Sequence, residues 1–107
     1  PRNLVLGDKA FFYVYVGNHM KKPMYCVVQV KLGDNSTKID PAPLKPVLTF
    51  EKILPDNDTW IFPVELLMNK PGLNQRIIVE LWTYNETSGE IQYSGRWTQL
   101  WVNVTAI

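Results

Sequence analysis

One cysteine, Cys26, is present, so no internal disulfide can form and the fold has to be held by its apolar core. One histidine, His19, is present. It lies in a predicted turn beside Met20 and Lys21, with no cysteine or carboxylate at ligand spacing, which argues against a zinc site and a histidine general base. Charge of one sign is also lacking. A net charge of +1, with Lys21-Lys22 the one adjacent basic pair, supplies no field for nucleic acid or an anionic membrane surface. No apolar run approaches the ~18 residues that span a bilayer, and no signal peptide is recognisable. No Gly-rich phosphate loop, Gly-x-Ser-x-Gly elbow or metalloprotease motif occurs, and the acidic residues are dispersed over separate turns and strands. Asp56 and Asp58 flank Asn57, but two turn carboxylates fall short of a calcium site. These absences predict a protein that is not an enzyme, with no cofactor and no metal.

Missing disulfides fit a prokaryotic surface domain better than a secreted eukaryotic module. The chain opens at Pro1 rather than Met, which reads as a fragment of a longer or processed protein. Any membrane attachment then comes through an anchor outside these residues. At 107 residues and 12.4 kDa, residues 1–107 form one domain. Hydrophobic residues at 46% and charged residues at 20% are globular values.

The periodicity present is two. Ala10, Phe12, Val14 and Val16 share one face of a strand, with Phe11, Tyr13 and Tyr15 on the other. Gly17-Asn18 and Lys22-Pro23 bracket a turn, followed by a strand over 24–32 that carries Cys26 among inward Met24, Val28, Val30 and Leu32. Cys26 is therefore expected as a buried apolar side chain rather than a reactive thiol. Pro41, Pro43 and Pro46 mark an extended connection without ladder donors. Strands follow at 47–54 and 59–67, where Pro63 demands a sheet edge or a bulge. The stretch 75–84 reads as the most central strand. A polar hairpin over 85–95 contains a short strand at 90–93, and 97–105 closes the chain; residues 2–6 can add an opening strand. Six or seven strands at intervals of about ten residues predict an all-β fold, an immunoglobulin-like antiparallel β-sandwich. The expected core is Phe12, Val14, Val28, Val30, Phe50, Trp60, Phe62, Val79, Leu81, Leu100 and Val102. The cysteine–tryptophan–cysteine pattern of antibody domains is absent, so the likeness is architectural.

Two features bear on function. Four Asn-x-Ser/Thr triplets start at Asn35, Asn57, Asn85 and Asn103, half of the eight asparagines. With Ser and Thr near a tenth of the residues, chance predicts about one. The excess predicts candidate glycosylation and an extracytoplasmic location, although turn asparagines and strand threonines also produce such triplets. The second feature is an aromatic surplus of 12%, with four Trp. If Ile77, Val79 and Leu81 face the core, Trp82 and Tyr84 face out; on the last strand Trp97, Gln99 and Trp101 do the same. Paired as a hairpin, these strands make one candidate interaction surface from Trp82, Tyr84, Trp97, Gln99 and Trp101. It suits a protein partner, a homodimer or a carbohydrate stacked on the rings. The alternative is that the hairpin over 85–95, or the opening strand, folds over the rings as a second small core.

The strand–turn–strand of Gly17-Asn18-His19 and Pro23-Met24-Tyr25-Cys26-Val27-Val28-Gln29-Val30-Lys31-Leu32 resembles the extracytoplasmic β-sandwich domain of a family of uncharacterised archaeal membrane proteins. So do Leu54-Pro55-Asp56-Asn57-Asp58-Thr59-Trp60, Arg76-Ile77-Ile78-Val79-Glu80-Leu81-Trp82 and Leu100-Trp101-Val102-Asn103-Val104. The likeness covers most of the chain in short strand patterns. It implies a surface or membrane-attached, non-enzymatic interaction or structural module, and supplies no ligand or catalytic residue. A more distant likeness is to sandwich modules appended to bacterial and archaeal surface enzymes.

Overall fold

The computed structural model describes residues 2–106. It is all-β, with seven strands: β1 Arg2–Val5, β2 Lys9–Gly17, β3 Met24–Gly33, β4 Leu48–Leu54, β5 Thr59–Leu67, β6 Gly72–Asn85 and β7 Glu90–Thr105. Five form one sheet in the order β1-β7-β6-β3-β4; β2 and β5 form a second. The two sheets share one core. Phe12, Val14, Phe62 and Val64 of the small sheet pack with Val28, Val30, Ile77, Val79, Val102 and Val104 of the large one. Burial of β2 alternates at every residue, as the period-two pattern requires, with Phe11, Tyr13 and Tyr15 exposed.

Phe12, Val14, Val28, Val30, Phe62, Val79 and Val102 of the expected core are buried, while Phe50, Trp60, Leu81 and Leu100 are half-buried against it. Cys26 is buried, and burial pushes its thiol pKa up. Pro63 stands where its missing N–H costs no ladder bond. It lies opposite Tyr13 in a sheet of two strands. Asn18 holds the corner between the sheets: its Nδ2 donates to the Lys22 and Leu54 carbonyls, and its Oδ1 accepts from the Met20 N–H.

Two features depart from expectation. Strand pairing is not wholly antiparallel, because β1 runs parallel to β7, Arg2 opposite Val102 through Val5 opposite Thr105. A corner at Gly7, whose φ of 93° suits glycine, then turns the chain into the second sheet. The last strand is also longer than expected and runs through the polar stretch. Ser94 and Gly95 form a bulge between the Leu81–Arg96 and Trp82–Tyr93 pairs, with Gly95 at φ 83°. The turn chemistry at 94–95 marks that bulge, and the chain reverses at 86–89 instead.

Candidate interaction surface

The outward faces of β3, β6 and β7 are built from alternate residues. Register places Trp97 opposite Glu80, Gln99 opposite Ile78 and Trp101 opposite Arg76; Trp82 faces Tyr93 and Tyr84 faces Ile91. All five candidate residues thus lie on one face of one hairpin. Trp82, Trp97, Gln99 and Trp101 are half-buried, and Tyr84 is 43% exposed.

Within the 85–95 hairpin Tyr93 meets the Trp82 ring, but most of the polar fastening over this face comes from another segment. It is the proline-marked connection between β3 and β4. Ala42, between Pro41 and Pro43, is 2% exposed and clamped at both backbone groups. Its N–H donates to Glu80 Oε2 and its carbonyl accepts from Lys31 Nζ, each at 2.7 Å. Lys31 and Glu80 form an ion pair at 2.7 Å with both side chains buried. Glu80 Oε1 also accepts from Trp82 Nε1, and the Lys31 ammonium lies 5.5 Å from the Trp82 ring centre. Arg76 donates to the Thr37 carbonyl and to Gln99 Oε1, and its guanidinium lies 4.7 Å from the Trp101 ring centre. Tyr93 packs against Trp82 and donates to Asp40. Burial first, then that hydrogen bond, raises the Tyr93 pKa above the ordinary 10.0.

Pro41, Pro43 and Pro46 have no N–H to give a ladder, and Ala42 between two of them has its N–H and carbonyl satisfied by Glu80 and Lys31 of the sheet beneath. Lys31, Glu80, Arg76 and Ala42 are what the sequence reading missed. The available signal was a charge at mid-strand between apolar chain neighbours, Lys31 between Val30 and Leu32 and Glu80 between Val79 and Leu81. Partnership needed the register, which sets Lys31 beside Ile78 and Gln29 beside Glu80.

The candidate glycosylation asparagines divide into two pairs. Asn35 and Asn57 are exposed in turns, Asn57 at φ 61°. Asn85 and Asn103 are half-buried and hydrogen-bonded: Asn85 Nδ2 donates to Gln92 Oε1, and Asn103 Nδ2 to Asn3 Oδ1. Asp56 and Asp58 accept from the backbone N–H groups of Lys21 and Thr59, so they serve their turns. Among the described residues, no group of three or more His, Cys, Asp or Glu side chains is arranged to hold a metal. Among the same residues, no helix is long and apolar enough to cross a membrane.

No protein-family model matches the chain, and no curated protein matches it. Among solved structures it is similar to part of a β-glucosidase from Listeria innocua. Against the complex with gluconolactone the TM-score is 0.63 at 18% identity, covering 100% of this chain and 15% of that one. Against the complex with glucose the values are 0.57 and 16%, with the same coverage. The chain therefore spans 15% of the length of the β-glucosidase chain it matches, and at this identity the likeness is one of fold.

Proposed function

We propose that the domain is a non-catalytic, immunoglobulin-like β-sandwich that works by apolar contact, through Trp97, Trp101 and Tyr84, with a protein partner or a second copy. The observation that carries this reading is the state of the polar groups around the rings. Glu80 accepts from three donors, Arg76 is held by Thr37 and Gln99, and Trp82 is pinned by its N–H. These groups are committed to holding the β3–β4 connection, which leaves ring surface as what the face can offer. The four Asn-x-Ser/Thr triplets, two of them at exposed asparagines, support a place outside the cytosol. So does the resemblance to archaeal membrane-attached domains. Sedimentation across a concentration series tests the reading: self-association or partner capture that Trp101→Ala weakens is expected, and a monomer whose partner binding ignores Trp97 and Trp101 overturns it.

A second reading, carbohydrate binding, is favoured by one feature: two half-buried tryptophans two rungs apart on one strand, suited to stacking on a sugar face. It requires a soluble oligosaccharide to shift the tryptophan emission, and Trp101→Ala to abolish the shift.

A further inference from the structure

The small sheet is narrower than the sheet it covers, and one consequence lies on the inner side of β7. Val102 and Val104 there are buried, Leu100 is half-buried, and Thr98 and Arg96, on the same inward face, are exposed. The roof ends partway along the strand. Between the outer half of β2 and the β6–β7 floor lies a cleft of about 930 Å³, lined by Val14, Val16, Leu81, Thr98 and Leu100 among others.

The wall of this cleft is a free strand edge. β2 pairs with β5 alone. In that antiparallel pair, backbone groups alternate between the ladder and the outside. Phe11 identifies which residues face out, because its carbonyl accepts from the Arg2 guanidinium, and Pro63, which has no N–H to give a ladder, stands opposite Tyr13 at the same parity. By the same parity Tyr13, Tyr15 and Gly17 aim their N–H and C=O groups at the cleft. The two edges of the small sheet differ in protection. Opposite Tyr13 on β5 stands Pro63, which removes the outward N–H there and blocks strand addition. Nothing comparable protects β2 beyond Arg2: Phe11 to Gly17 contains no proline and no charge. On the floor, Arg96 makes no ion pair among the described residues.

We propose that this cleft accepts one extended peptide strand, added to the β2 edge, with apolar side chains toward Leu81 and Leu100 and a carboxylate toward Arg96. Four features specify that occupant. Backbone groups at every second residue select a strand. The apolar floor selects alternate apolar side chains, and the unpaired cation selects an acid. Width selects a single strand rather than a folded domain. Neighbouring strands lie ~4.8 Å apart, and the overhang of a five-stranded sheet past a two-stranded one admits a strand, whereas a second copy of this fold pairing there would bring its own overhang into the same space. The cleft lies on the side of the large sheet that Thr98 and Leu100 face; Trp97 borders it on β7 and Trp101 does not, so Trp101→Ala separates this proposal from the proposed aromatic contact.

The test uses two synthetic peptides of alternating valine and threonine, one with glutamate at a central valine position and one with lysine there. Amide exchange of the whole 107-residue chain is followed by NMR. The glutamate peptide should slow exchange at Tyr13 and Tyr15 and leave the amides of β4 unchanged. The lysine peptide should bind about fivefold more weakly, and Arg96→Glu, at an exposed position, should reverse the preference. Absence of protection at Tyr13 and Tyr15 with either peptide at millimolar concentration overturns the proposal. Equal binding of both peptides overturns the acidic occupant. Protection of these amides that depends on protein concentration without peptide assigns the edge to a second copy, and also overturns it.

Discussion

Lys31 and Glu80 stand at the middle of two strands whose neighbours are apolar, where an unpartnered charge costs several kcal/mol. Both are satisfied, since each reaches Ala42 as well as the other. The expected cost of Lys31→Met alone is about 3–5 kcal/mol, because it strands Glu80 in the interior. The double variant with Glu80→Leu should recover much of that, as apolar replacement of both charges is often close to neutral. Urea unfolding of the four proteins in this cycle measures the coupling; a single variant as stable as the wild type would show that the pair does not fasten the connection. Tyr93 adds a pH dependence. Its phenol is held protonated in the fold by burial and by Asp40, whereas the unfolded chain ionises at the ordinary 10.0. The unfolded state then binds fewer protons, so the stabilisation is complete below 10.0 and declines as pH rises through the raised folded value. Tyr25, hydrogen-bonded to Glu51, has the same sign. Alkaline urea midpoints should therefore fall more steeply in the wild type than in Tyr93→Phe. Parallel slopes would remove Tyr93 as a contributor.

At the scale of the element, β5 joins a core-facing aromatic pair to an edge proline. Trp60 and Phe62 stack with ring centres 4.2 Å apart, and Phe62 also meets Phe50 at 4.9 Å. Phe62 is the more buried, so Phe62→Ala should cost about 3–5 kcal/mol and Trp60→Ala less, as read from denaturation midpoints. Equal losses would place both rings in the core to the same depth. Pro63→Val gives no new ladder bond and should leave stability nearly unchanged. It opens the outer edge of β5, so self-association measured by light scattering should rise. These elements were legible in the sequence because alternation names a face without knowledge of partners: Phe12, Val14 and Phe62 could be assigned inward from spacing alone. The proline connection was not legible in that way. Pro41 and Pro43 announce that the segment joins no ladder, but what it rests on depends on Lys31 and Glu80 meeting across two strands. Alternation likewise puts Trp82, Tyr84, Trp97, Gln99 and Trp101 on one side of the hairpin, while the polar groups fastened over it, Ala42 and Thr37, belong to the β3–β4 connection. The cleft beside β2 was hidden for a similar reason, since it follows from the 5-and-2 division of the strands between sheets.

For the whole molecule, the first and last strands meet. Arg2–Val5 lies along residues 102–105 of β7, and Asn103 donates to Asn3 across a separation of 100 residues. β1 also ties the two sheets together. Leu4 packs against the shared core, and Arg2 reaches the Phe11 carbonyl on β2. Closing so long a loop brings its entropy cost before any contact is returned, and β1 offers only four residues of pairing to offset it. The strand should therefore dock after the transition state for folding. Leu4→Ala, at a half-buried position, should cost about 1–2 kcal/mol, enough for a meaningful kinetic comparison. That loss should appear almost wholly as faster unfolding, with the refolding rate little changed. Stopped-flow refolding and unfolding across a denaturant series separates the two limbs. Slower refolding with unchanged unfolding would mean instead that β1 and β7 pair early, and that β1 belongs to the nucleus around which both sheets assemble.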